Sequence, residues 1–319
     1  MRLRRLSIAT TVGTVALLGA YLGCRTQPNA APETPDATPL ASASAGVEAG
    51  AITPMNATPF PSAQVANAVN PSHLPPYTGP TGVVEGTIFV TGDPSPPLMG
   101  KDFAKCPEAS KMYGKAFREG TPLANGARPL ADAMVGITGY AGYYVPEKNE
   151  SLRIYIRDCA FSTRTIVLTL GQALEVQNKS AGVFMYAPEL ENQPHPALMM
   201  APPNGDAVRL YPAQIGRYRV IDRAKNDWME ADLYVIGHPL HAVSDDQGHY
   251  RIEGVPVGKL KIAAQHPAIM TNPDAGNLEQ DMRTDLDIQS GIVTHVDLTI
   301  PFAKIASRPP PRDRKAVLP

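Results

Sequence analysis

Short stretches in which apolar and polar residues alternate strictly begin near residue 80 and recur to about residue 300. Val84, Gly86, Ile88 and Val90 interleave with Glu85, Thr87 and Phe89. Leu152, Ile154 and Ile156 interleave with Arg153, Tyr155 and Arg157. Ile166, Leu168 and Leu170 lead into a Gly171-Gln172 turn, and Leu174 and Val176 lead away from it. The same period returns at Tyr218 and Val220, at Met229 to Val235, at Tyr250 and Ile252, at Leu260 and Ile262, and at Val296 to Ile300. A period of two places one side-chain set on a buried face, so these segments are predicted strands. Asp245 to Gly248 and Pro256 to Gly258 carry turn chemistry between them. Only residues 103–119 have helical composition. Pro107 and Gly114 limit that stretch to one or two short helices.

The pattern is missing at both ends. Residues 25 to about 78 are built from Ala, Pro, Thr, Ser and Asn with few charges. Such a segment buries too little apolar surface to offset its chain entropy, so a proline-stiffened tether is expected. The tail from Ser307 is proline-rich and basic and is expected to be disordered. The 319 residues include 33 prolines and 26 glycines, which also favours strands and turns over helices. A formal charge of -1 gives no electrostatic reason to expect nucleic acid as a partner.

Arg2, Arg4 and Arg5 precede an uncharged run from Leu6 to Gly23, which ends at Cys24. A basic start and an apolar run before small residues indicate a secretory signal. Leu22-Gly23-Cys24 resembles the lipobox of bacterial lipoproteins, with Tyr21 where that motif usually has Leu. The resemblance implies a lipid on Cys24 and attachment to a membrane. An ordinary signal peptide and an uncleaved transmembrane anchor are the alternatives. Arg25 after Cys24 favours the outer membrane, by analogy with bacterial sorting rules.

Further segments resemble known families. Cys159-Ala-Phe-Ser-Thr-Arg164, Gly171 to Asn178, Trp228-Met229 and Val235 to Pro239 follow the order found in exported cupredoxin-like proteins of the plastocyanin-like and methylamine-utilisation type. Ala242 to Leu260 is similar to the carboxypeptidase regulatory-like domain, a small transthyretin-like β-sandwich. The resemblance spans about residues 80–302. It implies an all-β chain: a cupredoxin-like sandwich over 79–236 and a transthyretin-like sandwich over 237–304. A lipoprotein signal peptide (1–23), a tether (24–78) and a tail (305–319) flank them. The strand at 83–90 could belong to either sandwich.

A type 1 copper site takes two imidazoles, a thiolate and a weak axial thioether. At the positions where the resembled family holds them, this chain has Val183, Arg223, Asn226 and Met229. Only the thioether is kept, so no copper and no other cofactor is expected. The resembled family often carries a Cys in both regions where Cys106 and Cys159 stand. That implies a disulfide here, with two buried thiols as the alternative.

His238, His241, His249 and His266 are close enough in sequence to suggest zinc or copper. Ordinary surface or hinge histidines are the expectation, and His195 is expected in a loop. Asp222, Asp227, Glu230 and Asp232 are expected on a solvated face rather than as a paired-carboxylate site. Trp228 is expected to pack rather than stack a sugar. No catalytic motif is present, so the expected protein is non-enzymatic: an envelope scaffold or binding module. The alternatives are a periplasmic electron-transfer or copper-handling protein and a carbohydrate-binding lipoprotein. Its partners would be the membrane and an envelope protein or cell-wall glycan.

Overall fold

The computed structural model describes residues 58–303, except 192, 194–197, 225 and 271–282. The expected signal peptide, Cys24, His195 and the tail lie outside the described residues. Among the described residues the chain is all-β with three short helices. In order these are α1 (Ser62–Val69), β1 (Thr81–Gly92), α2 (Pro107–Tyr113), β2 (Arg128–Pro129) and β3 (Met134–Thr138). The central set is β4 (Ser151–Arg157), β5 (Ala160–Phe161), β6 (Thr165–Thr169), β7 (Ala173–Asn178), β8 (Pro188–Glu191), β9 (Val208–Leu210), β10 (Gly216–Asp222) and β11 (Glu230–Ile236). The last set is β12 (His241–Val243), β13 (His249–Pro256), β14 (Gly258–Gln265), α3 (Pro267–Met270), β15 (Thr284–Ile288), β16 (Val293–His295) and β17 (Leu298–Phe302).

The central strands form two four-stranded sheets, β5-β4-β7-β9 and β6-β11-β10-β8. Each sheet contains one parallel pair, β4 with β7 and β6 with β11. Ile156, Phe161, Leu168, Leu174, Val220 and Leu233 belong to one core with no more than 1% exposure. Outward positions of the β10 sheet carry charges of alternating sign. Arg217 pairs with Asp232, and Arg219 with Glu191 and Glu230. Opposite charges across neighbouring strands support the register.

A second core, with Val84, Ile88, Val135, Ile137, Ile252 and Ile262, belongs to the remaining strands. Their sheets are β12-β3-β14-β15 and a five-stranded one in which β1 pairs with β13, β16, β17 and β2. A contiguous break at 236/237 therefore does not separate the two cores. Strands β1 to β3 pair with strands C-terminal to the break, and β4 to β11 are inserted between them. The ambiguity of the 83–90 strand resolves towards the second core, because β1 hydrogen-bonds to β13 over Thr81–Thr87.

The expected tether 24–78 is ordered from α1 onwards. Val65 and Val69, one helical turn apart, approach Gly171 and Gly237, and Val69 packs against the first core. The Tyr77 backbone N–H then donates to the Tyr144 carbonyl. Among the described residues no helix is long and apolar enough to cross a membrane.

Candidate functional site

The loops after β7 and β10 meet α2 at one pole of the first core. Alternation along β10 fixes what points inward there. Tyr218, Val220 and Asp222 are buried, while Arg217 and Arg219 are exposed. Arg223 continues the outward set, and its guanidinium pairs with Glu189 at 2.6 Å. The inward residue at the strand end is thus Asp222, one position before Arg223. The same parity was visible in the sequence as Tyr218-x-Val220-x-Asp222.

The Asp222 carboxylate holds the loop together. It accepts the backbone N–H groups of Ala187 (2.8 Å), Ala224 (3.2 Å) and Asn226 (3.3 Å). It also accepts the Asn226 side-chain amide at 3.1 Å, and that amide lies 3.5 Å from Met229 Sδ. A buried carboxylate supplied with four N–H donors is well compensated for its lost hydration. Asn226 and Met229 are therefore brought together, buried, as a structural plug.

Val183 is not part of this arrangement. It is 90% exposed, and the neighbouring Phe184, Met185 and Tyr186 line a cavity at this pole instead. That cavity, of about 240 Å³, is also lined by Asn226, Trp228 and the Cys106–Cys159 disulfide. The two cysteines are bonded, with Cα atoms 5.8 Å apart. The bond ties the start of α2 to the turn between β4 and β5. Trp228 is half-buried: its indole N–H donates to the Cys159 carbonyl at 3.2 Å, and Phe103 meets its ring edge-on.

Copper does not fit this donor set. Among the described residues no imidazole lines the cavity, its cysteine sulfurs are joined to each other, and Met185 is its one thioether. Disulfide sulfur is not a thiolate, and a thioether alone binds copper weakly.

The four histidines go to separate places. His249 is exposed at the start of β13, 3.8 Å from Asp245. His266 is a buried strand-end residue whose ring faces Phe117. His238 and His241 lie in the connection from β11 to β12. Burial, aided by the nearby His238, pushes His241 down to about 4. Its Nε2 is 3.5 Å from Thr169 Oγ1, which donates to Glu147 at 2.8 Å. His266 is thus buried and His241 half-buried, because each sits where the two cores face each other. Among the described residues no three His, Cys, Asp or Glu side chains are placed to share a metal ion. Asp227, Glu230 and Asp232 carry ion pairs with Lys101, Arg219 and Arg217 on the outer face.

No protein-family model and no curated protein sequence matches the chain. Among solved structures it is similar to amicyanin from Paracoccus versutus, with 12% identity over 28% of this chain and 84% of that one, at a TM-score of 0.24. It is also similar to a reduced amicyanin variant, with 12% identity over 27% and 81%, at 0.24. For auracyanin B the identity is 14% over 33% and 99%, at 0.25.

Proposed function

We propose that this protein is a non-enzymatic binding module of a bacterial envelope, tethered by a lipid on Cys24, with a cupredoxin-like sandwich that holds no copper. The sandwich reading rests on two facing sheets that each contain one parallel pair. The regulatory-like reading of the second core rests on the Ala242 to Leu260 motif. One observation carries the loss of copper. The loop that would supply ligands is closed by Asp222, which accepts four N–H groups from Ala187, Ala224 and Asn226.

Elemental analysis and a visible spectrum of the full chain, produced with copper in the medium, test this reading. Less than a tenth of an equivalent of copper and no intense visible band are expected. Stoichiometric copper would overturn it in favour of electron transfer or copper handling. The tether has its own test. Cys24→Ser should move the protein from the membrane pellet to the soluble fraction, and retention in the pellet would refute the lipid anchor.

A further inference from the structure

The second core carries a cavity of about 290 Å³ that the pole reading does not use. Its floor is made by small residues. Gly136 in β3 lies directly opposite Ala263 in β14, and a Cβ added at Gly136 would meet nothing within 4 Å. Met134, Ile236, Ile269 and Ile300 supply apolar wall. A strand pair with no bulk at its centre leaves room that a folded sheet would otherwise fill.

Two polar observations point to a ligand there. Among the described residues, three buried side-chain polar atoms have no hydrogen-bond partner: Gln193 Oε1, His238 Nδ1 and His266 Nε2. Two of the three belong to residues lining this one cavity. His266 is only 4% exposed, and its Nδ1 accepts the Ala268 N–H. The Ala131 carbonyl favours its protonated form without completing a bond of acceptable geometry. Buried orphan nitrogens of this kind are uncommon in native folds and call for a partner.

The second observation is charge. Among the described residues Arg283 is the one charged side chain in the lining; it is exposed and has no ion pair there. Burial holds both His238 and His266 below the ordinary histidine range. At neutral pH the cavity therefore combines apolar walls, two neutral imidazoles and a single guanidinium.

We infer that this cavity binds a medium-chain carboxylate, with its apolar body over Gly136 and Ala263 and its carboxylate on Arg283. Size follows from volume. A dry cavity of about 150 Å³ takes benzene, so about 290 Å³ suits roughly twelve non-hydrogen atoms. Decanoate has that number. A guanidinium fork is the side chain best matched to a carboxylate. The site is independent of the copper-free pole, so either reading can fail without the other.

Isothermal titration of decanoate into the full chain in phospholipid nanodiscs tests it, with empty nanodiscs subtracted. Saturable one-to-one binding is expected, at least fivefold tighter than for decanol. Gly136→Leu should weaken decanoate at least tenfold by occupying the floor. Arg283→Gln should erase the preference over decanol. Ala263→Val, checked by circular dichroism to be folded, is the milder filler if Gly136→Leu misfolds. No saturable binding, binding untouched by the folded filler, or a decanoate preference that survives Arg283→Gln would each overturn the inference.

Discussion

The Arg118 guanidinium donates twice to the Asp132 carboxylate, from Nε at 2.7 Å and from Nη2 at 2.8 Å. Asp132 is 1% exposed and sits between the two cores. It also accepts the Thr163 hydroxyl at 3.1 Å and the Arg164 backbone N–H at 2.9 Å, both just before β6. Arg118 in turn reaches Asp246 in the turn before β13. One carboxylate thus joins the inserted sandwich to the strands that flank it. Burial alone would raise the Asp132 carboxyl, but the Arg118 hydrogen bonds and charge hold it below the ordinary carboxylate range.

Removing that carboxylate leaves the half-buried Arg118 guanidinium with Asp246 alone and the Arg164 N–H without an acceptor, while the Thr163 hydroxyl keeps the Thr165 carbonyl. Asp132→Ala should cost about 3–5 kcal/mol, the usual penalty for breaking a buried pair from one side. Asp132→Asn keeps the acceptor oxygen and should cost less. Urea unfolding followed at two wavelengths checks both. Equal losses for the two variants would show that charge, not shape, carries the contact.

The disulfide closes a loop with a sequence separation of 53. The chain-entropy model gives such a closure about 4 kcal/mol at 25 °C. A Cys106→Ser, Cys159→Ser double variant should therefore lose about that much stability while keeping its far-ultraviolet spectrum. Because Trp228 bonds the Cys159 carbonyl, its emission should shift to the red as well. An unchanged urea midpoint would contradict a stabilising role.

Much of the architecture was legible, and the failures have definite causes. Alternation marked β1, β4, β10, β11, β13, β14 and β17, because half-buried strands must alternate, whereas β6 and β7 are buried on both faces and were marked by their apolar residues around the Gly171-Gln172 turn. It could not assign β1 to a core. Pairing partners such as Thr81 and Pro256 are 175 residues apart, and no local pattern encodes that contact. The helix at α1 was missed because a single Val65–Val69 pair is a weak period within an Ala-Asn-Pro background. At the pole, the burial of Asp222 follows from strand parity, because β10 is paired on both sides, by β8 and β11, whereas the sequence reading expected it on a solvated face.

Acid should weaken the fold in a defined window. His241 and His266 are both pushed down to about 4, chiefly by burial. His238, Glu147 and Thr169 face His241; Asp132, Arg164, Arg118 and the Phe117 ring face His266. In the unfolded chain both take a proton near the ordinary histidine value of 6.5. Between that pH and about 4 the unfolded state binds more protons, so stability is full above 6.5 and falls as the pH drops towards about 4. At 1.36 kcal/mol per pH unit each histidine accounts for about 3 kcal/mol. Below that window, protonation of Asp132 adds a further loss. Urea midpoints at pH 7, 6, 5 and 4.5 check the slope, and His241→Gln should remove about half of it. A flat profile would contradict the neutral, buried placement of both rings.

Two glycines in strands should respond oppositely to the same change. β16 and β17 both pair with β1 in parallel and in one continuous register, and between them Val296 leans over Gly86. An added Cβ there would stand 1.9 Å from the Val296 carbonyl oxygen. That oxygen accepts the Tyr250 hydroxyl at 2.7 Å, and the Val296 N–H donates to the Glu85 carbonyl at 2.9 Å, so this link is held on both sides. It cannot move without breaking one of these bonds. Gly86→Ala should cost about 3 kcal/mol or more, at the upper end of overpacking penalties. Gly136 faces open space, and its backbone already suits a side chain. Gly136→Ala should change stability by less than about 1 kcal/mol, with the sign set by the reduced entropy of the unfolded chain. Urea midpoints of the two variants, measured side by side, decide the matter. A Gly86→Ala protein as stable as Gly136→Ala would mean that the Val296 carbonyl does not lie against Gly86.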